Sequence, residues 1–312
     1  MPLKIREVLA EAENTLRVAG IPEYKNDAWL LFEAVFQMNR TGYLMHMSEK
    51  LESIPDAEML YEKYREVTEK RSRHIPLQHI TGHQVFMGLD FEVNENVLIP
   101  RQDTEILVEE ALKLCRENTQ IVQVLDMCTG SGCIAVSMKK LAEHEICVTA
   151  VDLSAAALET AKRNAAKNDC EIRFLESNLF ENTGTQKYDL ILSNPPYIRS
   201  DVIPTLMEEV KDHEPWMALD GEKDGLFFYR RITQEAEKYL NPGGYLMYET
   251  GYDQAEAVEE ILKEHGFGKI RIVKDLAGLN RVAAGQKQQN LHGTAAAQGK
   301  QAVIHQKNCR DY

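Results

Sequence analysis

The chain has 312 residues, enough for one large domain and a small second one, each with its own core. Hydrophobic residues make up 44% and charged residues 27%, which excludes a disordered chain. No apolar run approaches the roughly 20 residues that span a bilayer, so no membrane partner is expected. The formal net charge of −13 is uneven, with −2 over residues 1–85, −14 over 86–285 and +3 over 286–312. Duplex nucleic acid selects a basic face, so the acidic middle counts against direct DNA binding. It favours a protein partner with a basic surface. Met1-Pro2-Leu3-Lys4 opens without an apolar signal core, and a cytoplasmic location is expected. Cys115, Cys128, Cys133, Cys147, Cys170 and Cys309 form no Cys-x-x-Cys pair. They read as reduced structural thiols, with no metal site.

Taken in order, residues 3–19 place Ile5, Val8, Leu9, Ala12 and Leu16 on one helical face, and Gly20 ends the helix. Asn26 or Asp27 is a candidate cap for a second helix carrying Trp29, Phe32 and Phe36. A third, short helix is expected near Tyr43, and a fourth after Pro55-Asp56. That fourth helix ends in Lys70-Arg71-Ser72-Arg73-His74, cations that suit its dipole. Residues 1–75 thus predict a helical bundle. Residues 76–100 change character and suggest a β-hairpin linker turning at Gly88. Asp103 is a candidate cap for the next helix. From Ile121 to Ala284, short apolar runs alternate with helical patterns. This predicts a parallel sheet covered on both faces, spanning residues 101–285. Residues 286–312 are rich in Gln, Ala, Gly, His and Lys and are expected to be a disordered tail.

Two stretches carry chemistry. Thr129-Gly130-Ser131-Gly132 follows a strand and opens a helix, so a ligand can approach the backbone closely. Cys128 stands where a dinucleotide fingerprint would have its first glycine, which favours a ligand smaller than a pyrophosphate. Asp152 ends the next strand, where an acid can accept both hydroxyls of a ribose. The second stretch is Ser193-Asn194-Pro195-Pro196-Tyr197, after the apolar run from Tyr188. Two prolines cannot continue a central strand, so the chain leaves stiffly at the strand's carboxyl end, where open α/β sheets bind ligands. There the Asn194 side-chain oxygen and the Pro195 carbonyl offer two fixed acceptors for a planar NH2 group. Tyr197 offers a ring to stack on.

Asn-Pro-Pro-Tyr resembles the signature of methyltransferases acting on amide or exocyclic amine nitrogens. Ile99-Pro100-Arg101-Gln102-Asp103-Thr104-Glu105, Glu214-Pro215, Ala218-Leu219-Asp220-Gly221 and Asp224-Gly225-Leu226 narrow the likeness. The chain resembles the peptide chain release factor glutamine N5-methyltransferases (the PrmC/HemK family) from about Pro76 to Gly285.

The resemblance implies an α/β fold: a Rossmann-like seven-stranded class I methyltransferase sheet with an antiparallel last strand. A small N-terminal helical substrate-recognition bundle would be joined to it by the hairpin. It implies S-adenosyl-L-methionine as cofactor, held by Cys128, Thr129, Gly130, Ser131, Gly132, Asp152, Leu153, Asn178, Leu179 and Asn194. Catalysis would fall to Asn194, Pro195, Pro196 and Tyr197, with Arg101 and Glu105 supporting the pocket. The substrate would be the Gly-Gly-Gln glutamine of class 1 release factors, methylated by a monomer. The other reading of the motif is an N-methyltransferase for adenine or cytosine amines in DNA or RNA. Where the family has an acid-aromatic pair by the adenine, this chain has Asn178-Leu179. Weaker cofactor binding than in an Asn178→Asp, Leu179→Trp variant is therefore expected.

Overall fold

The computed structural model describes residues 3–288. The expected tail lies outside the described residues from 289 on. Its first two residues, Gln286 and Lys287, instead complete the last strand.

Contacts divide the chain into two units. The first comprises the chain up to His83 together with Val93–Glu95 and Leu206–Glu214. It is helical: α1 (Ile5–Val18), α2 (Tyr24–Phe36), α3 (Arg40–His46), α4 (Ala57–Ser72) and the short α5 (Leu77–Thr81). The α1 stripe of Ile5, Val8, Leu9, Ala12 and Leu16 is buried, as its 3–4 spacing requires. The core is aromatic. Phe32 stacks on Phe36 with ring centroids 4.4 Å apart, and the edge of Tyr64 meets both rings.

The expected cap of α2 is not where the sequence suggested. Asp27 does not cap α2, which begins three residues earlier. Asp27 is buried inside the helix and pairs with Arg71 at 2.7 Å. Arg71 lies in the last turn of α4, as expected, but is buried there and takes Glu209 as a second partner at 2.8 Å. Glu209 arrives from far along the chain, in the segment Leu206–Glu214, where Glu208 also meets His74 at 3.3 Å.

The second unit opens with the hairpin of β1 (His83–Phe86) and β2 (Leu89–Glu92), of which His83 falls to the first unit. Then follow α6 (Gln102–Glu117), β3 (Gln123–Met127), α7 (Cys133–Leu141), β4 (Cys147–Asp152), α8 (Ala155–Lys167), β5 (Arg173–Glu176) and β6 (Tyr188–Ser193). α6 starts earlier than expected, with Arg101 and not Asp103 in the cap position. Two one-turn helices come next, α9 (Glu208–Lys211), which belongs to the first unit, and α10 (Trp216–Leu219). The chain ends with α11 (Phe227–Tyr239), β7 (Leu240–Glu249), α12 (Ala255–Glu264), β8 (Phe267–Lys274) and β9 (Asn280–Lys287).

Seven strands form one sheet in the order β5-β4-β3-β6-β7-β9-β8. Strands β3 to β7 pair in parallel, and β9 runs antiparallel to both its neighbours. Both faces are covered. Val124, Leu190 and Leu192 pack with α6 and α7, while Leu125 and Ile191 pack with α11 and α12. This explains why the strands read as continuous apolar runs without alternation. The strand order reverses between β3, whose next strand in sequence lies on one side, and β6 on the other. A crevice at their carboxyl ends is the expected binding place.

Candidate active site

Position comes first. Register pairs Met127 of β3 with Ser193 of β6 and Ser193 with Tyr248 of β7. The buried Ser193 hydroxyl donates to the Met127 carbonyl at 2.7 Å, locking the two strand ends together. The next residue, Asn194, therefore emerges at the topological switch.

A cleft partly open to solvent lies at this edge and is lined by second-unit residues. Of the sequence-derived candidates, Cys128, Thr129, Gly130, Ser131, Asp152, Leu153, Asn178, Leu179, Asn194, Pro196 and Arg101 line it. Pro195, Tyr197, Gly132 and Glu105 do not. Pro195 is buried. Gly132 serves packing: a Cβ there would lie 3.0 Å from Ala161 of α8. Glu105 turns away and accepts the Met87 backbone N–H at 2.6 Å, tying α6 to the hairpin. Tyr197 donates its hydroxyl to Glu249 at 3.2 Å.

The turn after β3 is held from below and beside. Buried Asp126 accepts the Thr129 hydroxyl at 2.5 Å and the Ala135 N–H at 3.1 Å. Burial pushes its carboxyl up to about 7, against those two hydrogen bonds. Asp152 reaches across to the same turn, accepting Gly130 N–H on Oδ2 at 2.8 Å and Ser154 N–H on Oδ1 at 2.9 Å. Each oxygen keeps a second lone pair. Burial raises its carboxyl, opposed by the Ser154, Gly130 and Leu153 amides. Gly130, at φ +54°, would meet nothing with a Cβ, so this part of the turn is open to a ligand. Cys128 adopts φ +64°, which an L side chain tolerates at a cost of roughly 1 kcal/mol.

On the far side, the Asn178 NH2 donates to Glu181 at 2.8 Å, which leaves its carbonyl oxygen as the uncommitted atom. Asn194 shows the same logic at the centre. Its Nδ2 donates to the buried Thr104 hydroxyl at 3.2 Å, so its Oδ1 is the atom left for a ligand. The remaining walls come from Thr104, Val97, Pro215, Met217, Ala218 and Phe228.

Thr104 and Glu249 were not anticipated as functional. The readable sign was an acid at the end of an otherwise apolar strand, Tyr245-Leu246-Met247-Tyr248-Glu249. The glycines of the downstream motifs brace Tyr197. A Cβ on Gly221 would come within 2.7 Å of the Tyr197 Cα, and one on Gly225 would meet the Tyr197 carbonyl oxygen. Gln254 donates to that same carbonyl at 2.8 Å. Ile198 and Asp220 form a short parallel bridge beside it.

The chain is similar to known proteins along most of its length. Residues 102–210 match the model of the methyltransferase small domain, and residues 7–82 match that of the PrmC N-terminal domain. A release factor glutamine methyltransferase of Geobacter sulfurreducens is 40% identical over 282 residues, covering 90% of this chain and 96% of that protein. One from Clostridium botulinum is 39% identical, covering 91% and 99%. A solved protein-(glutamine-N5) methyltransferase (release factor-specific) from Alicyclobacillus acidocaldarius is 35% identical, covering 64% of this chain and 99% of its own, with a TM-score of 0.40. With such identity along nearly the whole length of its relatives, the chain belongs to the release factor glutamine methyltransferase family.

Proposed function

We propose that this protein transfers a methyl group from S-adenosylmethionine to a glutamine side-chain amide nitrogen, that of the Gly-Gly-Gln loop in class 1 peptide chain release factors. The observation that carries the reading is Asn194: its NH2 is taken by Thr104, so an acceptor oxygen is left at the head of the cleft. An amide NH2 donates two hydrogens; Asn194 Oδ1 can accept one, and the backbone carbonyl of Pro195, a buried residue that does not line the cleft itself, is the acceptor proposed for the other.

The residues present fit the cofactor. Asp152 has lone pairs for two ribose hydroxyls, and Gly130 leaves its backbone open. Asn178 Oδ1 could accept an adenine amine, and Leu179 would offer an apolar surface beside the ring. When bound, S-adenosylmethionine supplies a sulfonium-activated methyl, so the protein's task is alignment and exclusion of water. An amide nitrogen is a poor nucleophile because its lone pair is shared with the carbonyl. Asn194 and Pro195 would stabilise the positive charge that builds on it, and the rigid Pro195-Pro196 exit keeps those acceptors in place. The acidic residues 86–285 would draw in a basic protein surface, and the helical unit would supply further grip. On this reading the enzyme acts as a monomer in the cytoplasm and does not bind DNA.

The test follows labelled methyl from S-adenosylmethionine to release factor, to its loop Gln→Ala variant, and to single-stranded and duplex DNA. Label is expected on intact release factor alone, and label on DNA instead would overturn the reading. Asn194→Ala should bind cofactor yet lose at least ~100-fold in turnover. Near-normal turnover would remove Asn194 from its role.

A further inference from the structure

One buried acid near the site takes no part in the functional reading so far. Glu249 ends β7 and is only 1% exposed. Its Oε1 accepts the Tyr197 hydroxyl, while its Oε2 is buried with no hydrogen-bond partner. Leaving a carboxylate oxygen unpaired in a core costs stability that an apolar side chain would not. The Thr104 hydroxyl is a donor close enough to act on this carboxyl, favouring its charged form against burial. Thr104 is also the residue that receives the Asn194 NH2.

The three side chains form a line with a direction. A hydroxyl has one proton and two lone pairs. If that proton points at Glu249, the Thr104 oxygen can only accept from the other side. Asn194 must then offer it NH2, and the acceptor Oδ1 is left for the cleft. If the proton points at Asn194, the amide turns over and presents NH2. That would set a donor against the donors of an incoming amide.

We propose that Glu249 is a positioning residue for methyl transfer: its carboxylate claims the Thr104 proton, fixes the Asn194 amide with nitrogen inward, and so holds an acceptor oxygen toward the nitrogen to be methylated. The proposal rests on the functional reading above and assigns that site its orientation device. A carboxylate is the side chain for this task because it can only accept. A glutamine of the same shape could donate to Thr104 and reverse the line. Arg281, whose Nε is also buried and unpartnered, is a nearby charge that favours the carboxylate against burial, while its terminal nitrogen pairs with Asp103 and Asp275.

Glu249→Gln is nearly isosteric and should fold. Its kcat toward release factor is expected to fall at least about 10-fold, with cofactor Kd unchanged. Thr104→Val should lose a similar factor, and Thr104→Ser should recover most of it. The Glu249→Gln, Thr104→Val double variant should be no slower than either single one, because both break one line. A Glu249→Gln enzyme with wild-type kcat, or two losses that multiply in the double variant, would overturn the proposal. A second measurement does not depend on turnover. The Asn194 side-chain amide protons, identified by their absence in Asn194→Ala, should shift in 15N-asparagine NMR spectra of both Glu249→Gln and Thr104→Val. If Glu249→Gln leaves them unmoved, the line does not exist. Should the wild type methylate nothing, the functional reading fails, and the NMR result still decides the orientation.

Discussion

At the scale of single residues, the site depends on which atom of each polar group is already spent. Glu249 gives this a pH dependence. Burial pushes its carboxyl up to about 7, opposed by the Thr104 and Tyr197 hydroxyls and the Arg281 charge, with Asp103 adding to the rise. Tyr229 and Cys133 also face it. The orientation device needs the carboxylate, so kcat should climb between pH 6 and 8, and Glu249→Gln should flatten that climb. Stability runs the other way. An acid whose folded pKa is raised contributes fully below its unfolded value and loses that contribution as pH rises through about 7. Thermal melts should therefore show the wild type losing Tm relative to Glu249→Gln as pH rises from about 4.5 to about 7, with no further loss above that. Asn178 gives a second case. Its hydrogen bond to Glu181 means that Asn178→Asp would oppose two carboxylates where there was one donor and one acceptor. That substitution alone should not tighten cofactor binding. With Glu181→Gln it should, and calorimetric titration of the two variants separates the cases.

Among the elements, the turn after β6 is the one most constrained by its surroundings. Gly221, Gly225 and Gln254 all press on the Tyr197 backbone, and Gly225 sits at φ +73°. Gly225→Ala should cost about 1–3 kcal/mol in urea unfolding and depress methyl transfer, since strain there moves Asn-Pro-Pro-Tyr itself. An alanine variant with unchanged stability and rate would show that the turn does not depend on this contact. Strands and helices from Ile121 onward were legible because apolar runs and 3.6-residue stripes alternate without ambiguity. The Asn194 turn was legible because Pro195-Pro196 can only end a strand. Glu105 was misread because its pairing with a hairpin amide 18 residues back leaves no mark in local pattern. Thr104 was hidden for the same reason, and Glu249, though marked as an acid ending an apolar strand, could be joined to it only when β7 is laid beside β6 and α6 is packed above them. The cap reading of Asp27 failed because tertiary pairing with Arg71 outweighed local propensity.

At the scale of the molecule, the helical unit is discontinuous. Arg71, 6% exposed, holds Asp27 and Glu209 together. Burial raises the Asp27 carboxyl, and Arg71 is what opposes this. Arg71→Ala would strand two acids, and a loss of roughly 3–5 kcal/mol is expected in denaturant titration. Glu209→Gln should cost less, because Asp27 keeps its partner. Equal losses would show that the Asp27 pairing adds nothing to stability. The family model for the N-terminal domain stops at residue 82, yet Leu206–Glu214 is as much a part of that unit as α1. The boundary drawn along the chain is thus not the boundary drawn in space. A chimera that takes the first 83 residues from one relative and the remainder from another would inherit an Arg71 from one lineage and its Glu209 from the other. Such a chimera should be less stable than its parents wherever they differ at positions 27, 71 or 209, and moving Leu206–Glu214 together with the first 83 residues should restore the loss in denaturant titration.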